Sequence, residues 1–221
     1  SYTFGKSNPR NSVNSCMTMK KIGITGGIGS GKSYVSDIIK SMGFPVYHSD
    51  ENAKSLMESN PLIKEGLLLL FGDSIYEKGE LNKKKLAELI FESPELREKV
   101  NGLVHPIVRA DFAQWASNQS KEIVFNEAAI LFETASHTNF DATILVIAPE
   151  AIRIDRVMKR ESCSRALVLK RIQSQWSDEQ KSSLANYQII NDTVSPLLIQ
   201  VEKMLEKISA LNNLSSIIKT K

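Results

Sequence analysis

The chain is short of the residues that build sites outside a reducing compartment. Only two of its 221 residues are cysteine, Cys16 and Cys163. Two cannot make a disulfide framework, and no close pair is present to hold a metal. A strong charge of either sign is also missing: 28 Lys and Arg stand against 25 Asp and Glu, a formal net charge of +3. So even a balance gives no argument for nucleic acid, although a basic excess focused in a cleft would suit a polyanionic small ligand. No apolar run approaches a membrane span, and the first residues lack the apolar centre of a secretory signal. No internal repeat is found. These absences lead to the expectation of a cytoplasmic protein with neither nucleic acid nor membrane as partner. Neither composition nor spacing favours a monomer over a homo-oligomer. What is present, 42% hydrophobic and 24% charged residues, suffices for a packed core.

Residues 1–19 are rich in Ser and Asn and have no hydrophobic period, which predicts a flexible leader with Met17 or Met19 as a natural start. A domain over 20–210 and a polar tail over 211–221 are expected. Within the domain, KIGIT (21–25) reads as a strand feeding a glycine loop. Val35, Ile38, Ile39 and Met42 then repeat at helical spacing up to Gly43. FPVYHSD (44–50) reads as a second strand ending at Asp50, completing a right-handed parallel βαβ unit. Residues 51–117 read as almost wholly helical. Asn60-Pro61, Asn82 and Ser93-Pro94 serve as helix starts there. EIVFNEAAI, DATILVIAP and NYQIIN are further short strands, and Pro149 and Pro196 begin helices. The alternation predicts an α/β doubly wound parallel sheet of about five strands. A core over 20–58 and 118–210 would carry a helical insertion over about 59–117 and a lid over about 153–180.

Residues 26–33, GGIGSGKS, fit the phosphate-loop pattern G-x-x-x-x-G-K-[ST] at every fixed position, with a strand before and a helix after. The glycines let backbone N–H groups turn inward around a phosphate, and the helix N-terminus adds its positive end. Gly29, Ser30, Gly31, Lys32, Ser33 and Tyr34 are the candidate ATP contacts. Lys32 would lie on the β- and γ-phosphates, and Ser33 on Mg²⁺. The fold is then of the P-loop NTPase type.

The loop is shared by kinases, GTPases and ATPases. A GTPase needs D-x-x-G and N-K-x-D, and neither occurs. Residues 82–85, NKKK, lack the Asp. A motor ATPase carries an apolar strand ending in Asp, whereas residues 123–127 end in Asn126-Glu127. A small-molecule kinase fits better, since it needs a base, a mobile lid and arginines. Asp50 is the base candidate, with a helix cap as the alternative. Arg153, Arg156 and Arg160 share one helix face, where a solvated basic face is the alternative to phosphate binding. Trp115 and Trp176 read as packing residues, with stacking on a base as the alternative.

Several ordered motifs over about 20–208 resemble the dephospho-CoA kinase family. ITGGIGSGKS is similar to the family's loop. YHSDENAK resembles its D-[AS]-D motif, with His48 in place of the first Asp. LVHPIVR resembles its H-P motif and AAILFE its P-L-L-F-E segment. PEAIRIDRVMKRES resembles the arginine-rich lid, RIQSQ the R-I-x-x-Q element, and NYQIIND the strand A-D-x-x-I-x-N. The resemblance implies transfer of the γ-phosphoryl of ATP, with Mg²⁺, to the ribose 3′-hydroxyl of dephospho-CoA, the last step of CoA synthesis. It implies Asp50 as base and Lys32 as charge stabiliser, with Arg156 and Arg160 closing over the γ-phosphate. Asn191 would lie near the adenine, and His105, Arg109 and Glu133 on the acceptor. Rival readings are a nucleoside, nucleotide or shikimate-type kinase and a non-catalytic nucleotide sensor.

Overall fold

The computed structural model describes residues 19–218. The expected leader, apart from Met19, and residues 219–221 of the expected tail lie outside the described residues.

Strand β1 (Lys20–Thr25) runs into the glycine loop, and helix α1 (Lys32–Ser41) leaves it with Val35, Ser36 and Ile39 buried. Gly43, at φ 86°, turns the chain into β2 (Val46–His48). This strand stops two residues before the expected end, because Ser49 and Asp50 open α2 (Ser49–Ser59). The N-cap of α2 is His48, without a side-chain cap bond. Asp50 is therefore a first-turn residue, where a carboxylate suits the helix dipole, and the cap alternative falls.

α3 (Pro61–Phe71) starts as expected, with the Asn60 side chain accepting from the Leu62 and Ile63 amides. A hairpin of β3 (Tyr76–Glu77) and β4 (Glu80–Leu81) then interrupts the region expected to be helical. Its turn places Lys78 at φ 52° and Gly79 at φ 87°, the left-handed pair that a two-residue hairpin turn requires. α4 (Lys83–Glu92) and α5 (Pro94–Ser117) follow, capped by Asn82 and Ser93. The remaining elements are β5 (Ile123–Glu127), β6 (Ala142–Ile147), α6 (Glu150–Glu161), α7 (Arg165–Gln173), α8 (Asp178–Ser182), β7 (Tyr187–Ile190) and α9 (Leu197–Ile218). The backbone of the expected tail continues α9 to Ile218.

The main sheet has the order β2-β5-β1-β6-β7. All four of its pairings are parallel. Every strand thus delivers its carboxyl end to one edge, where ligands of such sheets sit. Glu127 is the register partner of both Ile24 and His48, so the ends of β1, β5 and β2 emerge side by side. One apolar cluster, including Ile22, Ile39, Phe125 and Ile144, joins the sheet to α1 and α9. A second, including Tyr47, Ile63, Leu67, Val104 and Phe112, packs α2 to α5 on the sheet. A third, of Ile154, Val157 and Val168 with Ile28 of the loop packed against it, belongs to α6 and α7.

Candidate active site

Gly31 is the N-cap of α1 at φ 89°, and Gly29 sits at φ 76°. Both conformations favour glycine. Space demands it as well: a Cβ on Gly31 would lie 2.1 Å from Asn191 Nδ2, and one on Gly29 2.5 Å from the Arg153 carbonyl oxygen. The loop is crowded from outside because side chains hold it there. Arg153 Nε donates to the Ile28 carbonyl at 2.9 Å, and Asn191 Nδ2 donates to the Ser30 carbonyl at 2.8 Å. Arg156 Nη1 lies 3.4 Å from the carbonyls of Gly29 and Ser30. Gln175 Oε1 accepts from the Ile28 amide at 2.8 Å. The Ile28 amide is taken by Gln175 and the Ser30 amide by the Gly27 carbonyl at 3.0 Å, which leaves the amides opening α1, without a side-chain cap, for an anion.

This placement overturns the solvated-face reading of Arg153 and ties Arg156 and Asn191 to the loop. Arg153 is 6% exposed and ion-paired with Asp178 at 3.3 Å, so it is a strut and not part of a solvated basic face. Arg156 donates to the Asn191 side chain at 3.1 Å besides the loop carbonyls. Arg156 and Asn191 thus both meet the carbonyl side of the loop. The hydrogen-bonding capacity of a buried guanidinium has to be met locally, and the loop carbonyls meet it. Arg160 is different. It is exposed at the end of α6, 2.5 Å from Glu161 Oε1, while Arg171 holds the other oxygen of Glu161.

Inside the loop, Lys32 Nζ lies 3.5 Å from Glu127 Oε1. Glu127 is buried at the end of β5, and its Oε2 is 2.8 Å from His48 Nδ1. Asp50 opens toward water at a cleft yet has protein on most sides. Its carboxyl is raised above the ordinary value of 3.8, chiefly by desolvation. The Lys32 charge pulls it back, Glu127 raises it, and the Ala129 amide and Lys54 pull it back further. Ser33 and Tyr34 are exposed in the first turn of α1, Tyr34 by 61%. From the sequence Glu127 stood out as the acid that ends an apolar strand, open as a second Mg²⁺ ligand, and His48 as the residue in place of the first Asp of D-[AS]-D; their pairing did not.

Asp50 lines a cleft of about 330 Å³ with His105, Arg109, Phe112, Asn126 and Thr134. A wider groove of about 670 Å³ shares His105 and Arg109 and reaches Glu133 and Gln175. α5 supplies this wall, fixed to β2 by the Tyr47 hydroxyl, which donates to Asp111 at 2.5 Å. Trp115 packs on Tyr47, with ring centroids 5.4 Å apart, as its packing role predicts. Trp176 is 41% exposed instead. Burial, and then the neighbouring Arg109 charge, lower the pKa of His105 below 6.5, so its ring is neutral at pH 7. Glu133 borders the groove, but its Oε1 is 2.9 Å from the fully buried Lys181 and accepts the Trp176 amide at 3.2 Å. The Lys181 contact is an ion pair without good hydrogen-bond geometry, and Glu133 Oε2 has no partner. The carboxylate expected on the acceptor is thus already tied to the lid's far end.

Residues 20–196 match the family model described as dephospho-CoA kinase. A dephospho-CoA kinase of Bacteroides fragilis is 41% identical over 186 residues, covering 84% of this chain and 91% of that one. A solved structure from Thermus thermophilus superposes with a TM-score of 0.76 at 35% identity, covering 87% of this chain and 97% of that one. The dephospho-CoA kinase of Campylobacter jejuni does so with a TM-score of 0.63 at 25% identity, covering 87% and 98%.

Proposed function

We propose residue roles from the premise that the chain belongs to the dephospho-CoA kinase family. The reaction is ATP-dependent phosphorylation of dephospho-CoA to CoA and ADP, the last step of CoA synthesis. The γ-phosphorus exchanges its bond to the ADP oxygen for one to the ribose 3′-oxygen, and the hydroxyl proton leaves to a base. One observation carries the assignment of roles. The amides opening α1, Lys32 and the raised carboxyl of Asp50 meet at one edge of the sheet, above a cleft walled by α5.

The amides of Gly29 and of residues 31–34 hold the phosphates, with Ser30 keeping the turn closed on the Gly27 carbonyl. Lys32 leaves Glu127 for the β- and γ-phosphate oxygens and stabilises the charge that grows on the leaving oxygen. Asp50 takes the ribose proton, and its raised proton affinity makes it a stronger base than an ordinary Asp. Arg153, Arg156 and Asn191 keep the loop in its anion-binding form. Arg160 is the guanidinium at the lid's exposed end that reaches the transferred phosphate when the lid closes. His105, as a neutral donor, and Arg109 line the acceptor side, and Glu133 acts by fixing the lid.

Among the described residues no three His, Cys, Asp or Glu cluster to hold a metal. Mg²⁺ asks for less: it keeps waters and takes one or two protein oxygens plus phosphates, and the exposed Ser33 hydroxyl beside Lys32 fits that set. Bound there, it neutralises phosphate charge. The division into core, insertion and lid is supported by three apolar clusters, although the insertion's cluster also takes in α2 and the sheet residues Tyr47 and Val124. The cytoplasm, where ATP is available, is the proposed compartment.

A coupled assay for ADP release tests the reading. ADP is expected to appear with dephospho-CoA in a one-to-one ratio with CoA, and not with shikimate or nucleosides. A rate indifferent to dephospho-CoA would make the protein a nucleotide sensor instead.

A further inference from the structure

Glu127 is 6% exposed, so both of its oxygens need partners. Lys32 serves one at 3.5 Å and His48 serves the other at 2.8 Å. The two partners differ in permanence. Lys32 sits in the phosphate loop and is drawn to the triphosphate when it binds. His48 is fixed by the sheet, since it is the register partner of Glu127. The Asn52 side chain donates to its carbonyl at 2.8 Å, and Ser49 Oγ donates to Asn126 at 2.7 Å. We propose that His48 is a positioning residue for the phosphoryl transfer. Its Nδ1–H holds Glu127 in place after Lys32 has left, so that the Glu127 charge stays beside Asp50. The inference rests on the reading of Asp50 as the base.

The charges around Asp50 make this hold consequential. Lys32 from α1 and Lys54 from its own helix lower its proton affinity, and His105 and Arg109 of α5 share its cleft. Glu127 is the neighbouring carboxylate that raises it. If Glu127 swung away, the cations would leave Asp50 a weaker base. A carboxylate at position 48, which the D-[AS]-D pattern carries, would abandon the hydrogen bond and add a second negative charge opposite Glu127.

Three variants separate the hydrogen bond from packing, with the pH dependence of kcat as readout. His48→Asn keeps a donor near the Nδ1 position. It should stay within about 2-fold of the parent kcat, with the acid limb unmoved. His48→Ala should lower kcat about 5- to 10-fold and shift the acid limb to lower pH, with the KM for ATP little changed. His48→Asp should shift the limb to higher pH by about half a unit or more. An unmoved kcat and limb in His48→Ala, or His48→Asn as impaired as His48→Ala, would overturn the proposal. A second readout uses the unaltered protein, so misfolding of a variant leaves the test intact. Long-range ¹H–¹⁵N correlation should show the His48 ring protonated on Nδ1, and a bare Nδ1 would overturn the proposal. Failure of the Asp50 reading has its own signature, full turnover in Asp50→Asn whatever happens at His48.

Discussion

On the nucleotide side of the sheet edge, Arg153, Arg156, Asn191 and Gln175 hold the loop by its outer face. On the acceptor side, Asp50, His105 and Arg109 border an open cleft, where burial and then the Arg109 charge disfavour a charge on His105. The nucleotide side is built before any ligand arrives, so its electrostatic work costs little reorganisation at the moment of reaction. The acceptor side keeps the Arg109 charge and a raised carboxyl facing water, an arrangement completed by a polyanionic acceptor. Loss of function should therefore look different on the two sides.

The largest effect is expected at the point where the sides meet. Lys32→Ala removes the charge aimed at the transferring phosphate and leaves Glu127 with His48 alone. Single-turnover kinetics should show kcat lower by on the order of 10⁴-fold. A loss smaller than about 10-fold would mean that the loop amides carry the catalysis without it.

Asp50→Asn should lower kcat by about 10²- to 10³-fold while ATP binding, measured by calorimetry, changes little. The variant should also be more heat-stable at pH 7. Desolvation raises the folded-state pKa of Asp50. Between the unfolded value and that raised value the folded chain binds the extra proton, so stability falls as pH rises through the window and stays lower above it. Asn carries no such penalty. The gain in melting temperature should vanish once the pH falls below the unfolded value of about 3.8. A melting temperature at pH 7 below that of the parent would contradict the desolvation account. For the same reason kcat of the parent should rise with pH through an acid limb above the ordinary aspartate range.

Arg153→Ala tests the braced side. The guanidinium is buried between the Ile28 carbonyl and Asp178, and its loss strands both partners. Urea unfolding should report about 2–4 kcal/mol less stability, with a higher KM for ATP and kcat mostly kept at saturation. Lys at this position should not rescue, since a point charge cannot span the two partners as the planar fork does. Unchanged stability with a lower kcat would instead put Arg153 on the phosphate.

The phosphate-loop pattern was legible in the sequence because its chemistry is local. A glycine loop, its lysine and the following helix lie within residues 26–33, and the strand, loop and helix periods appeared where expected. The five-stranded parallel sheet and the caps at Asn60, Asn82 and Ser93 were legible for the same reason. What escaped was non-local. Arg156 and Asn191 carry no mark in the sequence to say that they meet behind the loop, 35 residues apart in the chain. The partner of Glu133 is Lys181, a charge that only tertiary packing can bury. The β3–β4 hairpin offered one glycine as its cue. The element that carries Asp50 was misread, since strand and helix periods meet at His48 and Ser49 with no breaker between them.

The smallest expected effect lies on the unfinished side, and it decides whether that side is unfinished at all. Arg109→Ala removes a cation that lines both the cleft and the groove without bracing the loop. An exposed charge meeting a phosphate-bearing acceptor contributes modestly and is screened by salt. The KM for dephospho-CoA should rise about 3- to 10-fold, less at high ionic strength, with the KM for ATP and the melting temperature unchanged. The neighbouring imidazole should respond too. With the Arg109 charge gone, the pKa of His105 should move up toward 6.5, leaving desolvation as its remaining depressor. Loss of stability or of ATP affinity would show Arg109 to be a strut like Arg153, and the two sides would be alike.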